Sequence, residues 1–100
     1  MLVIAGTLSL DPAKREQAIT AARALMAETR KEPGCISYTF SEDLESPGSF
    51  RIFEEWKSQQ DLELHFKAPH MAEFQKLVPG LGIRGMKVQR YEVSSVGPVR

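Results

Sequence analysis

Two hydrophobic periods alternate along this chain, and their order strongly limits what it can fold into. A period of two marks strands at residues 2–10, 35–43, 49–56 and 86–93. Spacings of three and four mark helices at about residues 12–31, 58–67 and 69–78. In the resulting β-α-β-β-α(α)-β order, right-handed crossovers put both helical layers on one face of a four-stranded antiparallel sheet. The sequence therefore predicts an α+β fold of the split βαβ type.

The predicted helices have recognisable ends. Asp11 and Pro12 favour a helix start, because the carboxylate accepts free N–H groups of the first turn and proline has a suitable φ. Ser58 with Asp61 is a capping-box variant that opens the second helix. The first helix should stop at residues 32–34, where proline and glycine follow a glutamate.

Length and charge limit the number of domains and the kind of partner. The 100 residues fit one domain, with a core at about 2–93 and a tail at 94–100, since two domains would each be too short to bury a core. Thirteen basic and thirteen acidic side chains cancel and are interspersed, unlike the basic footprint of nucleic-acid-binding proteins. No apolar run has membrane-spanning length. We expect neither nucleic acid nor a membrane as a partner.

Cysteine usage and the N-terminal segment indicate the compartment. Cys35 is the only cysteine, which excludes an intramolecular disulfide and a zinc site built from several thiolates. The apolar start of the chain alternates like a strand and lacks the basic region and cleavage site of a signal peptide. We therefore expect a cytoplasmic protein.

Helices on one face would leave the other face of the sheet bare. Phe53 falls on that face together with Arg51 and Glu55, because alternate residues of a strand point to opposite sides. A bare face of this kind would make a sticky monomer. We expect two copies to pair sheet against sheet into a homodimer, with Arg51 and Glu55 available for ion pairs between them.

Four sequence signatures follow one another along the chain. They are Glu32-Pro33-Gly34-Cys35 with Tyr38, then Phe53-Glu54-Glu55-Trp56-Lys57-Ser58, then Leu64-His65-Phe66, and last Pro69-His70-Met71 with Phe74. In this order and spacing they resemble the antibiotic biosynthesis monooxygenase (ABM) family, over roughly residues 1–93. The resemblance implies a ferredoxin-like subunit, a dimeric α+β barrel, and a substrate cavity between the sheet and the helices.

The resemblance also limits the cofactors. The family includes cofactor-free monooxygenases of anthrones and quinols, haem-degrading enzymes, and isomerases of small phosphorylated carbonyl compounds. The haem-degrading branch uses an asparagine on the first strand and a histidine in the late helix, and this chain has neither at residues 5–7 or beyond Met71. No dinucleotide fingerprint, phosphate loop or metal-ligand spacing occurs. His65 and His70 are five residues apart across Pro69, on poorly matched faces, so we expect no cofactor and no metal.

His65 and Glu54 are the candidate catalytic residues. The helical spacing predicts that His65 points inward with Leu62 and Phe66, where an imidazole could act as a general base. The alternative is a hydrogen-bonded packing histidine. Glu54 shares the covered strand face with Trp56, and a carboxylate in an apolar layer must be paired or have a raised pKa. It could bind His65, the substrate or a helix N-terminus.

The candidate substrate contacts are aromatic. We expect His65 to face an enclosed pocket that Trp56 and Phe66 wall. Tyr38 could donate its hydroxyl to a substrate oxygen, and Phe74 is a further candidate contact. The alternative is that the strand aromatics are core, with the tip of the tyrosine reaching solvent. His70, in the first turn of the last helix, is expected to have a capping or surface role.

The expected function is a cofactor-independent monooxygenase acting on a small aromatic or quinol-type substrate. Such a reaction needs an apolar pocket, a base, and a substrate whose anion reduces oxygen directly. Two alternatives stay open. One is an isomerase of a small carbonyl compound, which would need cations such as Lys67, Lys76 or Arg84 in the cavity. The other is a dimer that binds a small molecule without catalysis.

Overall fold

Residues 1–100 are all described by the computed structural model, which confirms the α+β, ferredoxin-like order. Four strands form one sheet, and three α-helices lie between them in the predicted sequence. The elements are β1 (Leu2–Leu10), α1 (Arg15–Thr29), β2 (Cys35–Glu42), β3 (Ser49–Trp56), α2 (Gln59–Phe66), α3 (Pro69–Leu77) and β4 (Ile83–Glu92), with 3-10 helices at Pro12–Lys14 and Val78–Gly80.

The sheet has the strand order β2-β3-β1-β4, and every neighbouring pair is antiparallel. Glu54 of β3 lies opposite Tyr38 of β2 on one side and Ile4 of β1 on the other. The acid therefore sits on the central strands, not at an edge. β4 forms one edge of the sheet and most of its residues are exposed.

The first helix is shorter than the sequence predicts. Asp11 Oδ1 accepts the Ala13 N–H at 3.0 Å, as expected of a cap. This cap opens a 3-10 turn, and the α-helix begins only at Arg15. At the other end α1 stops at Thr29, whose carbonyl oxygen accepts the N–H of Glu32 and so turns the chain toward β2.

The last strand begins earlier than expected. β4 starts at Ile83 and not at Met86. Its pairing with β1 continues past an irregularity between Ser9 and Leu10, where Leu10 lies opposite Ile83. Backbone hydrogen bonds to β1 thus extend β4 beyond the segment in which apolar and polar residues alternate.

Alternation along β3 correctly predicts its two faces. Phe50, Ile52, Glu54 and Trp56 are all buried under the helices. Phe53, on the opposite face, is 46% exposed.

The core between sheet and helices has two ends. The Trp56 end contains Leu2, Leu25, Tyr38, Trp56 and Leu62. The Phe50 end contains Leu10, Ala18, Phe50 and Leu81. Phe74 of α3 packs against both clusters. Because each large apolar side chain that is fully buried contributes about 1.5–3 kcal/mol, both ends stabilise the sheet–helix layer.

None of the helices has the length and apolar character needed to cross a membrane. The longest, α1, has 15 residues and an amphipathic sequence. The cytoplasmic location stays a prediction.

Candidate functional site

The turn after α1 supports the start of α2. Lys57 N–H donates to the Gly34 carbonyl oxygen at 3.0 Å. A side chain at Gly34 would collide with the Asp61 carboxylate, so only glycine permits this close approach. Ser58 Oγ accepts the Asp61 N–H at 3.1 Å and caps α2 as predicted. These contacts hold Glu32, which belongs to the same turn, beside α2.

Glu32 joins two histidines. Its Oε2 atom lies 2.7 Å from Nδ1 of His65 and 2.7 Å from Nε2 of His70. The side chains of His65, Glu32 and His70 are 1%, 16% and 20% exposed. The three residues, which we call the Glu32 cluster, therefore run from the core to the surface.

The Glu32 cluster corrects two expectations. His70 is not simply a capping or surface residue, because it shares a carboxylate with His65. The expectation that the five-residue spacing keeps the two imidazoles apart is also wrong. Pro69 begins a new helix, and the change of direction between α2 and α3 brings both rings to one oxygen. Glu32 was missed as a site residue, although its place in the first ABM-like signature could have indicated it.

Glu54 is buried and forms its hydrogen bond with Trp56, whereas His65 has Glu32 as its partner. Its Oε1 atom accepts a hydrogen bond from Trp56 Nε1 at 2.8 Å, and the residue is 7% exposed. Burial raises the pKa of Glu54 to about 7, the Trp56 hydrogen bond opposes this, and the charge of Glu32 adds to the rise. Glu54 is thus both paired and shifted, and it can give or accept a proton near neutral pH.

His65 lies in an aromatic surrounding. Its ring centroid is 4.8 Å from that of Trp56 and 5.4 Å from that of Tyr38. Burial lowers the pKa of His65, while the hydrogen bond and the charge of Glu32 oppose this. The neutral imidazole is therefore favoured at neutral pH. Nδ1 is taken by Glu32, and Nε2 has no hydrogen-bond partner in the chain.

Tyr38 and Phe66 differ from expectation. Tyr38 is buried, with 3% of the residue exposed, and burial raises the pKa of its phenol. Phe66 is 54% exposed, so its predicted inward orientation is wrong. Successive helix residues are about 100° apart, and His65 takes the inward direction with Leu62. The Phe66 ring remains 5.9 Å from that of His65, at the outer edge.

An apolar cavity lies at the Phe50 end of the core. Its volume of about 30 Å³ would hold ~2 water molecules. Only hydrophobic residues line it, namely Leu8, Leu10, Ala18, Ala22, Phe40, Phe50, Phe74, Leu81 and Ile83. Neither His65 nor Trp56 is among them, so the cavity is displaced from the position expected beside His65.

A row of aromatic rings links this cavity to the Glu32 cluster. The ring centroids of His65 and Tyr38 are 5.4 Å apart, and those of Tyr38 and Phe40 are 5.7 Å apart. Phe40 and Phe74 follow at 6.3 Å, and both line the cavity. Phe74 and Tyr38, two of the predicted substrate contacts, thus lie between the acid-base groups and the cavity.

Comparison with known proteins identifies the family of this chain. The family model described as antibiotic biosynthesis monooxygenase (ABM) matches residues 1–77. The chain belongs to the ABM family. Over 93 residues it is 34% identical to the uncharacterized protein sll1783 of Synechocystis sp., which covers 93% of this chain and 63% of that protein.

Two further relatives extend the comparison. This ABM chain is 27% identical over 74 residues to the candidate monooxygenase YcnE of Bacillus subtilis, which covers 74% of this chain and 78% of YcnE. It also resembles the crystal structure of a candidate antibiotic biosynthesis monooxygenase from Deinococcus radiodurans. The TM-score is 0.91 at 27% identity, over 100% of this chain and 99% of the other.

The ABM signatures of this chain meet in space. Glu32 belongs to the first signature, Trp56 to the second, His65 to the third and His70 to the fourth, and contacts join all of them. The ligand atoms of Glu32, His65 and His70 all lie within 4.8 Å of one another. The site therefore combines acid-base groups with a set of side chains that can hold a metal ion.

Proposed function

We propose that this ABM protein is a monooxygenase that uses no cofactor and oxidises a small aromatic, quinol-type substrate between the sheet and the helices. The observation that carries the proposal is a wholly apolar cavity connected by aromatic rings to buried acid-base groups. Family membership and the likeness to candidate monooxygenases of B. subtilis and D. radiodurans support it.

The proposed reaction begins with proton transfer to His65. Nε2 accepts the hydroxyl proton of the quinol, while Glu32 holds Nδ1 and stabilises the imidazolium that forms. The electron-rich quinolate then reduces oxygen directly. One oxygen atom enters the ring and the other leaves as water, so quinol and O₂ give hydroxyquinone and water. The substrate supplies all four electrons, and Glu54 in its neutral form can return a proton to the departing oxygen.

Substrate binding in this proposal requires movement of α3. The cavity of about 30 Å³ is smaller than an aromatic ring. None of the residues of α3 is fully buried, whereas α1 buries four residues and α2 buries two. Displacing α3 with Phe74 would enlarge the cavity toward Tyr38 and His65. The ring then lies against Phe74, Tyr38 and Trp56, with a hydroxyl at His65.

The lining of the cavity favours this reaction over isomerisation of a phosphorylated carbonyl compound. An anionic substrate would need cationic side chains in the cavity. Lys76 is 3.2 Å from Glu73 and Arg84 is 3.5 Å from Asp11, on the surface, and neither they nor Lys67 line the cavity.

The test is turnover of a panel of quinols and anthrones by the purified protein, with and without oxygen, in an oxygen electrode. We expect consumption of one O₂ per substrate without added cofactor. Turnover without oxygen, or saturable binding without turnover, would contradict the proposal. Glu54→Gln should slow the reaction, whereas the matched control Glu63→Gln, on the exposed side of α2, should not.

We also propose that the protein works as a homodimer joined through the bare face of the sheet. Phe53 lies on that face between Ala5 of β1 and Thr39 of β2, and it is exposed. A stable contact there should bury more than ~1,000 Å². Light scattering at micromolar concentration should find monomers of the Phe53→Asp variant. The control variant Leu64→Asp, on the exposed side of α2, should remain dimeric. A monomeric parent protein would contradict the dimer.

A further inference from the structure

We propose that the Glu32 cluster binds one divalent transition-metal ion, with zinc as the best fit, through Glu32, His65 and His70. This inference goes beyond the monooxygenase function, since metal binding requires neither oxygen nor a quinol. It also reverses the expectation from sequence, which rested on the spacing of the two histidines alone.

The donor set is that of an open zinc site. Two imidazole nitrogens and one carboxylate oxygen converge within 4.8 Å. Zinc sites with three protein ligands use such a set and keep a fourth position for water. Imidazole ligands favour zinc, copper and nickel over magnesium and calcium, which prefer oxygen ligands.

Metal binding requires movement of two side chains. With zinc–ligand bonds of ~2.0–2.2 Å, the ligand atoms of a tetrahedral site are ~3.3 Å apart. Each imidazole nitrogen is now 2.7 Å from Glu32 Oε2, so these two distances must open by roughly half an ångström. The two nitrogens lie within 4.8 Å of each other, so they must approach by up to ~1.5 Å. The flexible Glu32 side chain and the partly exposed His70 can supply this movement while buried His65 stays in place.

The charge of the cluster favours a cation. Glu32 has no lysine or arginine within ion-pair distance, and its only side-chain partners are the two histidines. A groove of about 210 Å³ leads along α1 and α3 to His70, and Glu28 and Glu73 are among its lining residues. A hydrated cation can therefore reach the cluster from the side of α3.

Metal binding would change the tautomer of His65. In the metal-free cluster the short contact to Glu32 is best satisfied by a proton on Nδ1, which leaves Nε2 as acceptor. A metal ion on Nδ1 moves the proton to Nε2. The imidazole could then no longer accept a substrate proton, so zinc should inhibit turnover. This consequence, unlike the binding itself, rests on the proposed monooxygenase function.

The test is zinc titration of the chelator-treated full-length protein, in competition with a chromophoric chelator at pH 7.5. We expect one zinc per chain, and cobalt(II) in its place should give the visible absorption of a four-coordinate site. Glu32→Gln and His70→Ala should each weaken binding at least tenfold, in line with the ~10- to 100-fold losses from disturbing groups around a metal. Glu63→Gln and Cys35→Ser are matched controls that should retain full affinity, because neither residue belongs to the cluster or lines the groove.

Two results would overturn the proposal. One is the lack of saturable one-to-one binding by the parent protein. The other is equal binding by the parent and by Glu32→Gln and His70→Ala variants that circular dichroism shows to be folded. Since the measurement involves no turnover, failure of the quinol assay leaves its result intact. In an active preparation, full turnover with zinc bound would contradict only the inhibitory consequence.

Discussion

The Trp56 end and the Phe50 end of the core lie on the same sheet face under α1 and α3, yet they differ in packing and polarity. At the Trp56 end, aromatic rings close around His65 and Glu54, and both titratable groups are buried. At the Phe50 end every lining residue is hydrophobic and a cavity remains. Packing that excludes water shifts the pKa of a buried group, whereas a ligand needs space. The proposed reaction must therefore use both ends of the core.

The largest expected effect is on catalysis, where variants at the two ends of the core should change different kinetic constants. His65→Ala should lower kcat by the ~10²- to 10⁴-fold typical of a lost general base. Phe74→Ala, at the cavity, should mainly raise KM, because it removes binding that ground and transition states share. Steady-state oxygen uptake with the identified substrate measures both. Full activity of a folded, dimeric His65→Ala variant would make His65 a packing residue.

Packing should also distinguish the ends. Trp56→Ala should destabilise the protein by about 3–5 kcal/mol, since it empties the best-filled part of the core. Ala22→Val, which adds methyl groups beside the cavity, should cost less than the about 1–3 kcal/mol typical of enlarging a side chain in a filled core. Urea unfolding followed by circular dichroism gives both values. Comparable losses for the two variants would mean that the cavity end has no spare room.

Glu54 should make the folded protein less stable as the pH rises toward neutral. Its pKa rises from 4.5 to about 7 on folding, so the folded protein binds more protons between these values. The stabilisation from the neutral acid is complete below about pH 4.5 and is lost as the pH rises through about 7, a change of roughly 3 kcal/mol. The unfolding free energy of Glu54→Gln relative to the parent should therefore increase between pH 5 and pH 8.

Urea titrations at several pH values measure this difference. His65 has the opposite effect on the pH dependence of stability. Its lowered pKa stabilises the fold at pH values above the pKa that the histidine has in the unfolded chain. Since His65 is present in both proteins, its contribution cancels in the difference. A parallel pH profile for Glu54→Gln and the parent would refute the raised pKa.

The smallest effect concerns Phe66. Because its side chain is mostly exposed, Phe66→Ala should change stability within about ±0.5 kcal/mol. Leu62→Ala, one turn earlier on the buried side of α2, should cost about 2–5 kcal/mol. Thermal unfolding of both variants checks the orientation of α2. A loss for Phe66→Ala similar to that for Leu62→Ala would show that Phe66 is buried in solution.

The elements of the fold could be predicted because they depend on near neighbours in the chain. Alternation along β3 places Glu54 and Trp56 on the covered face, since the backbone itself sets the period of two. The Ser58 cap fixes the start of α2 through a hydrogen bond across three residues. The prediction for Phe66 was wrong because residues three and four positions after Leu62 can both point inward on a helix. In the folded protein it is His65 that packs inward.

The order of strands and helices, the covered face of β3 and the ABM resemblance follow from the sequence alone. Which polar groups meet depends on how the elements pack. Glu32 is 33 residues from His65 and 38 from His70, so no local rule pairs them. Their contact depends on the close approach of α2 to Gly34 and on the new direction that the chain takes at Pro69. Buried polar groups form hydrogen bonds with the partners that helix packing brings near them, because an unpaired polar group in the core costs free energy.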